Sequence, residues 1–307
     1  MNSKQLRAGI FGTVVAIGAL VMGSDARSDG TASGGVAAVY GAGQANSTEF
    51  LSTPDRIVSI ASSGAPTAVW QTLEHGEAVQ CLDCIGAVAP LLYDANARNR
   101  EIAAWWLRKR AFGVFGPGEV YEQTLNTLAG DSNPQRRAYA ANALGEFLDS
   151  GGIAPVAHAL TADTDAGVRA AAATALGRLN DDGSGALTSA LADSDPGVKV
   201  AVIEAAGRIS SIADATFSTK LAGLVGDSDA GVRSHAVQLM DEMNLKSSVA
   251  AVIALAKGDA DEDVRLNACH ALGTFGDSSA QASLQLIAQN DASGLVRDMA
   301  TIALLRL

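Results

Sequence analysis

The chain has 307 residues, of which 48% are hydrophobic and only 5% aromatic, and its formal net charge at pH 7 is −11. The core must therefore be built largely from Ala, Val, Leu and Ile, whose small side chains let helices approach closely. Nucleic acids and anionic membranes carry negative charge and repel such a chain. The composition thus excludes a general role at either, and we predict no nucleic-acid partner.

The first 26 residues are typical of an export signal. Lys4 and Arg7 precede an uncharged, mostly apolar run at residues 8–22, and residues 24–26 form a small-x-small cleavage site. The apolar run is shorter than the roughly 20 residues that span a bilayer. We predict cleavage after residue 26, export to the periplasm or out of the cell, and no membrane span in the cleaved protein. A retained N-terminal anchor is the alternative.

Two short regions follow the predicted signal. Residues 27–52 are rich in Gly, Ala and Ser, which favours a flexible linker. Residues 53–93 are predicted to form a helical cap, and they contain a C-x-x-C motif at Cys81 and Cys84. In an exported protein we interpret this pair as a structural disulfide. A redox-active pair, a metal or cofactor site, and free thiols stay open as alternatives.

From residue 94 onward one pattern occurs seven times. An Asp is followed six residues later by a base, and successive copies are spaced 37, 32, 30, 34, 32 and 32 residues apart. A period of this size predicts a solenoid of stacked helical units over residues 94–307. The pairs are Asp94 and Arg100, Asp131 and Arg137, Asp163 and Arg169, Asp193 and Lys199, Asp227 and Arg233, Asp259 and Arg265, and Asp291 and Arg297.

Each copy predicts a helix, a short turn that carries the Asp, and a second helix. Counted from the residue before the base, apolar residues recur at offsets 0, 4, 7 and 8, which lie on one stripe of an α-helix. The first copy departs from this pattern, because Asn99 stands at offset 0. A glycine often follows the stripe and is expected to help end or bend the second helix. These glycines are Gly145, Gly177, Gly207 and Gly273.

The third copy shows a resemblance to a known family. Asp163-Thr-Asp165-Ala-Gly-Val168-Arg169, followed by Ala172, Ala175, Leu176 and Gly177, resembles a HEAT repeat of the phycobilisome-lyase-like type, and the copies that begin at Asp193 and Asp259 are equally similar. The resemblance is good over residues 94–307 and poor over residues 54–93. It implies an all-α, right-handed α-solenoid of about seven helical hairpins with an atypical N-terminal helical cap. It does not specify a function, because the family spans scaffolds, adaptors and a few enzymes.

The recurring Asp residues and the basic residues six positions later are predicted to hold the units together. An Asp in the turn can accept backbone N–H groups and cap the following helix. An Arg six residues on can reach such carboxylates, in its own unit or in the next, and so form a ladder along the solenoid. We therefore assign these fourteen residues a structural role.

The segment after Asn99 is the most distinctive part of the repeats. Trp105 occupies a position of the second helix that holds mostly polar residues in the other copies. This position is expected to face a groove lined by second helices. A Trp beside three basic residues resembles an interface hot spot. The alternative is that residues 54–92 cover Trp105 as part of the cap. The predicted partner-binding residues are Trp105, Arg108, Lys109, Arg110, Asn142, Glu204, Gln238 and His270.

No catalytic motif is found in the sequence. H-E-x-x-H, Walker A and G-x-S-x-G patterns are absent. The four histidines do not form the His-Glu pairs expected of a di-iron hydroxylase with this resemblance. We therefore predict no enzyme activity, no metal and no cofactor, and we expect Cys269 to be an ordinary core thiol.

The last copy ends at Leu307 without a polar capping helix. Terminal repeats normally need a polar outer face. Leu305 and Leu307 are thus expected either to dock a partner or a second copy, or to form a frayed apolar end.

Three functions are consistent with these patterns. The first is a non-catalytic, exported scaffold that binds an unknown protein of the cell envelope. The second is an accessory factor in cofactor or redox handling that uses Cys81 and Cys84. The third is a structural component that self-assembles through its C-terminal helix.

Overall fold

The computed structural model describes residues 53–63, 65–79, 81–111, 118–179, 183–209, 212 and 214–307. The predicted signal and linker, residues 1–52, lie outside the described residues. Within the described ranges all regular structure is helical, so the predicted all-α class is confirmed. The same ranges contain no helix long and apolar enough to cross a membrane.

The described residues form sixteen α-helices in the order of the predicted hairpins. They are α1 Pro54–Ser63, α2 Pro66–His75, α3 Leu82–Val88, α4 Ala97–Ala111, α5 Glu119–Gly130, α6 Pro134–Phe147, α7 Ile153–Ala162, α8 Ala166–Leu179, α9 Ser184–Ala190, α10 Pro196–Ala206, α11 Ala215–Gly223, α12 Ala230–Glu242, α13 Val249–Gly258, α14 Glu262–Phe275, α15 Gln281–Asn290 and α16 Gly294–Leu304. Short 3₁₀ turns lie at Ala89–Tyr93, Ser150–Gly152, Leu224–Gly226, Lys246–Ser248 and Ser278–Ala280.

The helices stack in two layers. The second helices of the repeats, α4, α6, α8, α10, α12, α14 and α16, each pack against the next one along the chain. The first helices pack on the side of this row and contact one another less. This arrangement confirms the predicted solenoid, since each unit buries its apolar stripe only against its neighbours. The predicted right hand of the solenoid stays a prediction.

The N-terminal helices extend the same stack. Helix α1 packs against α3, and α2 packs against α4, so α1 and α2 form one more hairpin ahead of the repeats. Helix α3 and the 3₁₀ turn that follows it pack against α4. They therefore serve as the first helix of the unit whose second helix is α4.

Each turn that joins the two helices of a unit is held by two acidic or polar residues that lie two positions apart. In the third unit the Oδ1 of Asp163 accepts the backbone N–H of Asp165 at 2.9 Å. Asp165, two residues on, accepts the N–H of Val168 at 3.1 Å and is the N-cap of the second helix. The Asp of the repeated Asp-to-base pair therefore orders the turn, and the residue two positions later caps the second helix.

From the second unit onward, the ladder joins each unit to the following one. Arg233 donates from Nε and Nη2 to the two carboxylate oxygens of Asp259 at 2.7 and 2.8 Å. Its Nη1 donates to the backbone carbonyl of Asp227, in its own unit, at 2.8 Å. The same inter-unit pair recurs at Arg137 and Asp163, Arg169 and Asp193, Lys199 and Asp227, and Arg265 and Asp291.

The first rung of the predicted ladder is replaced. Arg100 stacks on the ring of Tyr139, with its guanidinium carbon 3.9 Å from the ring centre. Asp131 instead pairs at 2.7 Å with Arg136, which lies 4.3 Å from the ring centre of Tyr93. Two cation–π contacts thus stand where an ion pair joins the later units.

Three of the four glycines have a different role from the one predicted. Gly145, Gly177 and Gly273 lie inside their helices rather than at the ends. A Cβ on Gly177 would lie 2.8 Å from the Cα of Ala205 in the next second helix. These glycines therefore permit close contact between neighbouring second helices. Only Gly207 follows the prediction, as the C-cap of α10.

The C-x-x-C pair forms a disulfide. Cys81 and Cys84 are bonded, with their Cα atoms 5.2 Å apart. Cys81 is the N-cap of α3 and its sulfur accepts the backbone N–H of Cys84 at 3.1 Å. Cys269 is fully buried, and burial raises the pKa of its thiol to about 12.

Candidate partner-binding site

The second-helix face opens into three adjoining clefts at its N-terminal end. Their volumes are about 470, 350 and 210 Å³ in order from α2 towards α8. The outer and middle clefts share Trp70, Glu74 and Glu101. The middle and inner clefts share Glu101 and Glu146. The three clefts therefore form one groove that runs across α2, α4 and α6.

The middle cleft is built from two helices with matching spacing. Trp70 and Glu74 are four residues apart on α2, and Glu101 and Trp105 are four residues apart on α4. Residues at this spacing lie on one face of a helix. Each helix thus presents one Trp and one Glu to the same cleft, and Ile102 and Glu146 complete its lining.

Trp105 lies between the core and the middle cleft. Its ring is half-buried and packs against the core, and it also lines the open middle cleft beside Trp70 of α2. The two interpretations of Trp105 made from the sequence, cap packing and partner contact, are therefore compatible with one geometry. Helix α2 forms one wall of the cleft, and Trp105 forms part of the other.

The predicted basic cluster is divided by the fold. Arg108 is half-buried, and Lys109 is exposed and pairs with Glu77. Arg110 is only 6% exposed. It stacks on Trp106, 3.4 Å from the ring centre.

Arg110 holds the chain between α2 and α3 onto α4. Its Nη2 donates to the carbonyls of Glu77 at 2.9 Å and Val79 at 2.8 Å, and the indole N–H of Trp106 donates to the carbonyl of Gly76 at 3.0 Å. Burial lowers the pKa of Arg110 to about 10, while the charge of Glu77 acts in the opposite direction. The guanidinium stays charged at pH 7, but it faces backbone carbonyls. Arg110 therefore supports the walls of the groove and offers no free charge to a partner, which corrects its assignment as a contact residue.

The remaining predicted contact residues continue along the same row of second helices. Asn142 lines the inner cleft. Glu204 lies 3.6 Å from the Nε2 of His235, and Gln238 is exposed. The Nδ1 of His270 lies 2.7 Å from a carboxylate oxygen of Asp241.

These contacts join neighbouring second helices, so some of the predicted contact residues already pair with other residues of the protein. At α2, α4 and α6 the row opens into three adjoining clefts, whereas a separate cleft of about 230 Å³ lies between α10 and α12. The N-terminal end is therefore the part of the second-helix face best suited to receive a ligand.

Sequence reasoning missed five of the six residues that line the middle cleft: Trp70, Glu74, Glu101, Ile102 and Glu146. Trp70 and Glu74 belong to α2, which the repeat pattern does not reach. The signal available was local: Pro66 is well placed to begin a helix, and Val69 and Leu73 mark its buried face. That face leaves Trp70 and Glu74 directed towards the groove.

A larger cleft of about 670 Å³ lies on the first-helix side. It is lined by α3, the 3₁₀ turn after it and α5, with Tyr93 and Arg136 at one edge. Among the predicted contact residues only Arg110 lines it. In the described ranges no group of three or more His, Cys, Asp or Glu side chains is arranged to hold a metal ion.

Comparison with known proteins places the repeats in a family. Residues 153–218 and 218–305 match the sequence model for HEAT repeats. No curated protein sequence matches the chain. Among solved structures, the Escherichia coli protein YibA is similar over 87% of this chain and 98% of its own length, with 15% identity and a TM-score of 0.56.

Two larger proteins with bound partners are similar to the same degree. Kap95p, whose structure is described with RanGDP, matches 84% of this chain with 14% identity and a TM-score of 0.58. Kap121p bound to Nup53p matches 85% with 14% identity and a TM-score of 0.56. This chain spans 40% of the first and 33% of the second. At such identities the likeness shows the fold alone.

Proposed function

This chain is a HEAT-repeat protein, and on that basis we propose that it is a non-catalytic scaffold that binds another protein of the cell envelope. The partner docks in the groove across α2, α4 and α6. The two larger proteins of similar fold, Kap95p and Kap121p, are described with protein partners, which supports this class of function.

The half-buried Trp105, beside Trp70 in an open cleft, is the observation that carries the proposal. A Trp held on one side by the core and open on the other loses little conformational freedom on binding. It also offers a large apolar surface, and Trp is enriched among residues that dominate binding energy. Arg108 lies one turn further along α4 and extends the contact surface.

Two observations support an exported location. The first 26 residues have the charge and apolar pattern of an export signal. The Cys81–Cys84 disulfide is of a kind that persists in oxidising compartments and is rare in the cytosol. Envelope fractionation with an antibody against the chain tests this part of the proposal; recovery in the cytosol would contradict it.

The experiment that tests the scaffold function is cross-linking and co-purification from the native host. The double variant Trp105→Ala, Arg108→Glu is expected to lose a partner that the native chain retains. The matched control is Glu122→Ala on α5, an exposed change on the first-helix side. Circular dichroism confirms that both variants are folded. If the double variant keeps the full set of partners, the groove is not the binding surface.

The disulfide itself favours a second candidate, an accessory factor in redox or cofactor handling. Cys81 is half-buried and sits at the start of a helix, where a thiolate is stabilised. Thiol titration with mass spectrometry separates the two functions. The scaffold proposal expects a bridge that stays oxidised in a glutathione buffer, whereas a labile bridge or a bound chromophore supports the accessory role.

A further inference from the structure

The walls of the middle cleft combine two aromatic rings with carboxylates. Trp70 lies on α2 and Trp105 on α4, and the buried Ile102 of α4 also lines the cleft. Glu74, Glu101 and Glu146 complete the lining, and none of the described residues that line this cleft is basic. The face of a Trp ring attracts cations, and the attraction grows when the cation is partly desolvated.

Two of the three carboxylates are free to take a ligand. Glu74 and Glu101 are exposed and form no ion pair with any described residue. Glu146 is half-buried and pairs with Arg178. Arg98 lines the outer cleft but not the middle one. The local charge around the two Trp rings is therefore negative.

The size of the cleft limits what it can hold. Its volume of about 350 Å³ lies near the lower end of the roughly 300–1,000 Å³ typical of ligand pockets. It therefore suits one long side chain rather than a folded surface. Lysine and arginine have an apolar stem and a charged head. The stem would contact Ile102 and the rings, and the head would lie against Glu74 and Glu101.

We infer that the Trp70–Trp105 cleft binds a lysine or arginine side chain on a peptide segment of the partner protein. This inference rests on the proposed function, since it names the partner chemistry at the same groove. The inference places the contact on the carboxylates rather than on the basic residues of α4. Lys109 and Arg110 already have partners inside the fold, whereas Glu74 and Glu101 form no ion pair with any described residue.

A fluorescence titration tests the inference directly. The probes are the peptide Gly-Gly-Arg-Gly-Gly and the same peptide with citrulline, a neutral isostere, in place of arginine. Two of the three Trp residues line the cleft, so binding should change the emission, while the buried Trp106 gives a constant background. We expect saturable binding of the arginine peptide and at least tenfold weaker binding of the citrulline peptide.

Variants separate charge from ring contact. The double variant Glu74→Gln, Glu101→Gln should lower the affinity for the arginine peptide to that for the citrulline peptide. Trp105→Leu should lower the affinity for both peptides. Glu122→Gln, on the first-helix side, is the matched control and should bind like the native chain. Equal affinity for the two peptides, or undiminished affinity in the double Gln variant, overturns the inference.

The same variants distinguish this inference from the scaffold proposal. A partner lost by Trp105→Ala, Arg108→Glu but kept by the double Gln variant leaves the scaffold function standing and removes the cation claim. A partner kept by both removes the scaffold function. Residues 27–52 contain Arg27 and are the rival occupant. If removal of residues 27–52 raises the affinity for the arginine peptide tenfold or more, the cleft is filled by the chain itself. The claim of an external partner is then overturned.

Discussion

At the scale of single residues, Asn99 is the clearest departure from the repeat. Five other copies have Val at this position on the second helix. Asn99 is 1% exposed, and neither its amide nitrogen nor its carbonyl oxygen has a hydrogen-bond partner among the described residues. A buried polar group left unpaired costs stability, on the order of 1–3 kcal/mol.

We therefore expect Asn99→Val to stabilise the protein by about 1–2 kcal/mol, because the substitution removes two unpaired polar atoms at similar volume. Urea denaturation of the native and variant proteins provides the measurement. Asn142→Val, at a half-buried position of the groove, is the matched control and should change stability little. A less stable Asn99→Val protein would mean that the amide has a partner in solution.

The ladder residues give a prediction about pH. The bidentate hydrogen bond from Arg233 holds the pKa of Asp259 below its ordinary value, with burial acting in the opposite direction. A carboxylate of lowered pKa stabilises the fold above its unfolded pKa of about 3.9, and the contribution is lost as the pH falls through the lower, folded value.

Asp259→Asn should therefore cost about 2 kcal/mol at pH 7, less than a fully buried pair because the ladder lies at the solvent edge. The difference from the native chain should shrink below about pH 4. Denaturation at pH 7 and at pH 3 checks both points. Asp131→Asn, whose carboxylate faces the more exposed Arg136, should have a smaller effect. An undiminished difference at pH 3 would exclude the ion pair as its source.

At the scale of elements, the contact between neighbouring second helices depends on glycine and alanine. Gly145 meets Ala175, Gly177 meets Ala205, and Gly273 meets Ala303, with each hypothetical Cβ 2.8 Å from the facing Cα. At this separation the backbone itself would have to move. The high alanine content of the chain thus has a geometric use, since small residues on facing helices let the layers stack closely.

Gly177→Ala is accordingly expected to destabilise the protein by about 1–3 kcal/mol, even though alanine favours helix more than glycine does. Gly185→Ala is the matched control, because a Cβ there meets no atom within 4 Å, and it should stabilise by about 0.5–1 kcal/mol. Thermal and urea denaturation of the two variants provide the comparison. If both variants are more stable, the helices can separate at little cost.

At the scale of the whole molecule, the two ends of the solenoid differ. At the N-terminal end α2 covers α4 and leaves the groove described above. Leu295 and Ile302 on α16, and Leu305 just after it, are 64%, 44% and 84% exposed. Leu305 stands at the position that Gly145, Gly177 and Gly273 occupy in their own copies of the repeat.

The exposed face of α16 predicts weak self-association of the native chain. Leu295→Lys with Leu305→Lys should lower the average mass measured by light scattering at high concentration, because the charges cannot be buried at an interface. Leu148→Lys, an exposed leucine outside α16, is the control. An equal mass for all three proteins removes the self-assembling role.

The sequence predicted the fold through particular residues and predicted the site only in part. The spacing of the Asp and basic residues located every second helix, because a repeated unit must place equivalent residues alike. The same spacing assigned Trp105 to the groove. It could not reveal Trp70 or Glu74, since α2 lies before the first repeat, nor show that Arg110 turns inward onto Trp106 and the carbonyls of residues 76–79.

By itself, the sequence determined the helical hairpins of the seven copies and their Asp turns, because these depend on local spacing and on apolar periodicity. Only the tertiary structure decided which carboxylate each base meets, why glycine lies inside the second helices, and which charges near Trp105 are free. The physical reason is that those properties depend on the distance between helices far apart in sequence. The sequence around a carboxylate, a glycine or an arginine is the same whether the next unit buries that residue or leaves it exposed to solvent.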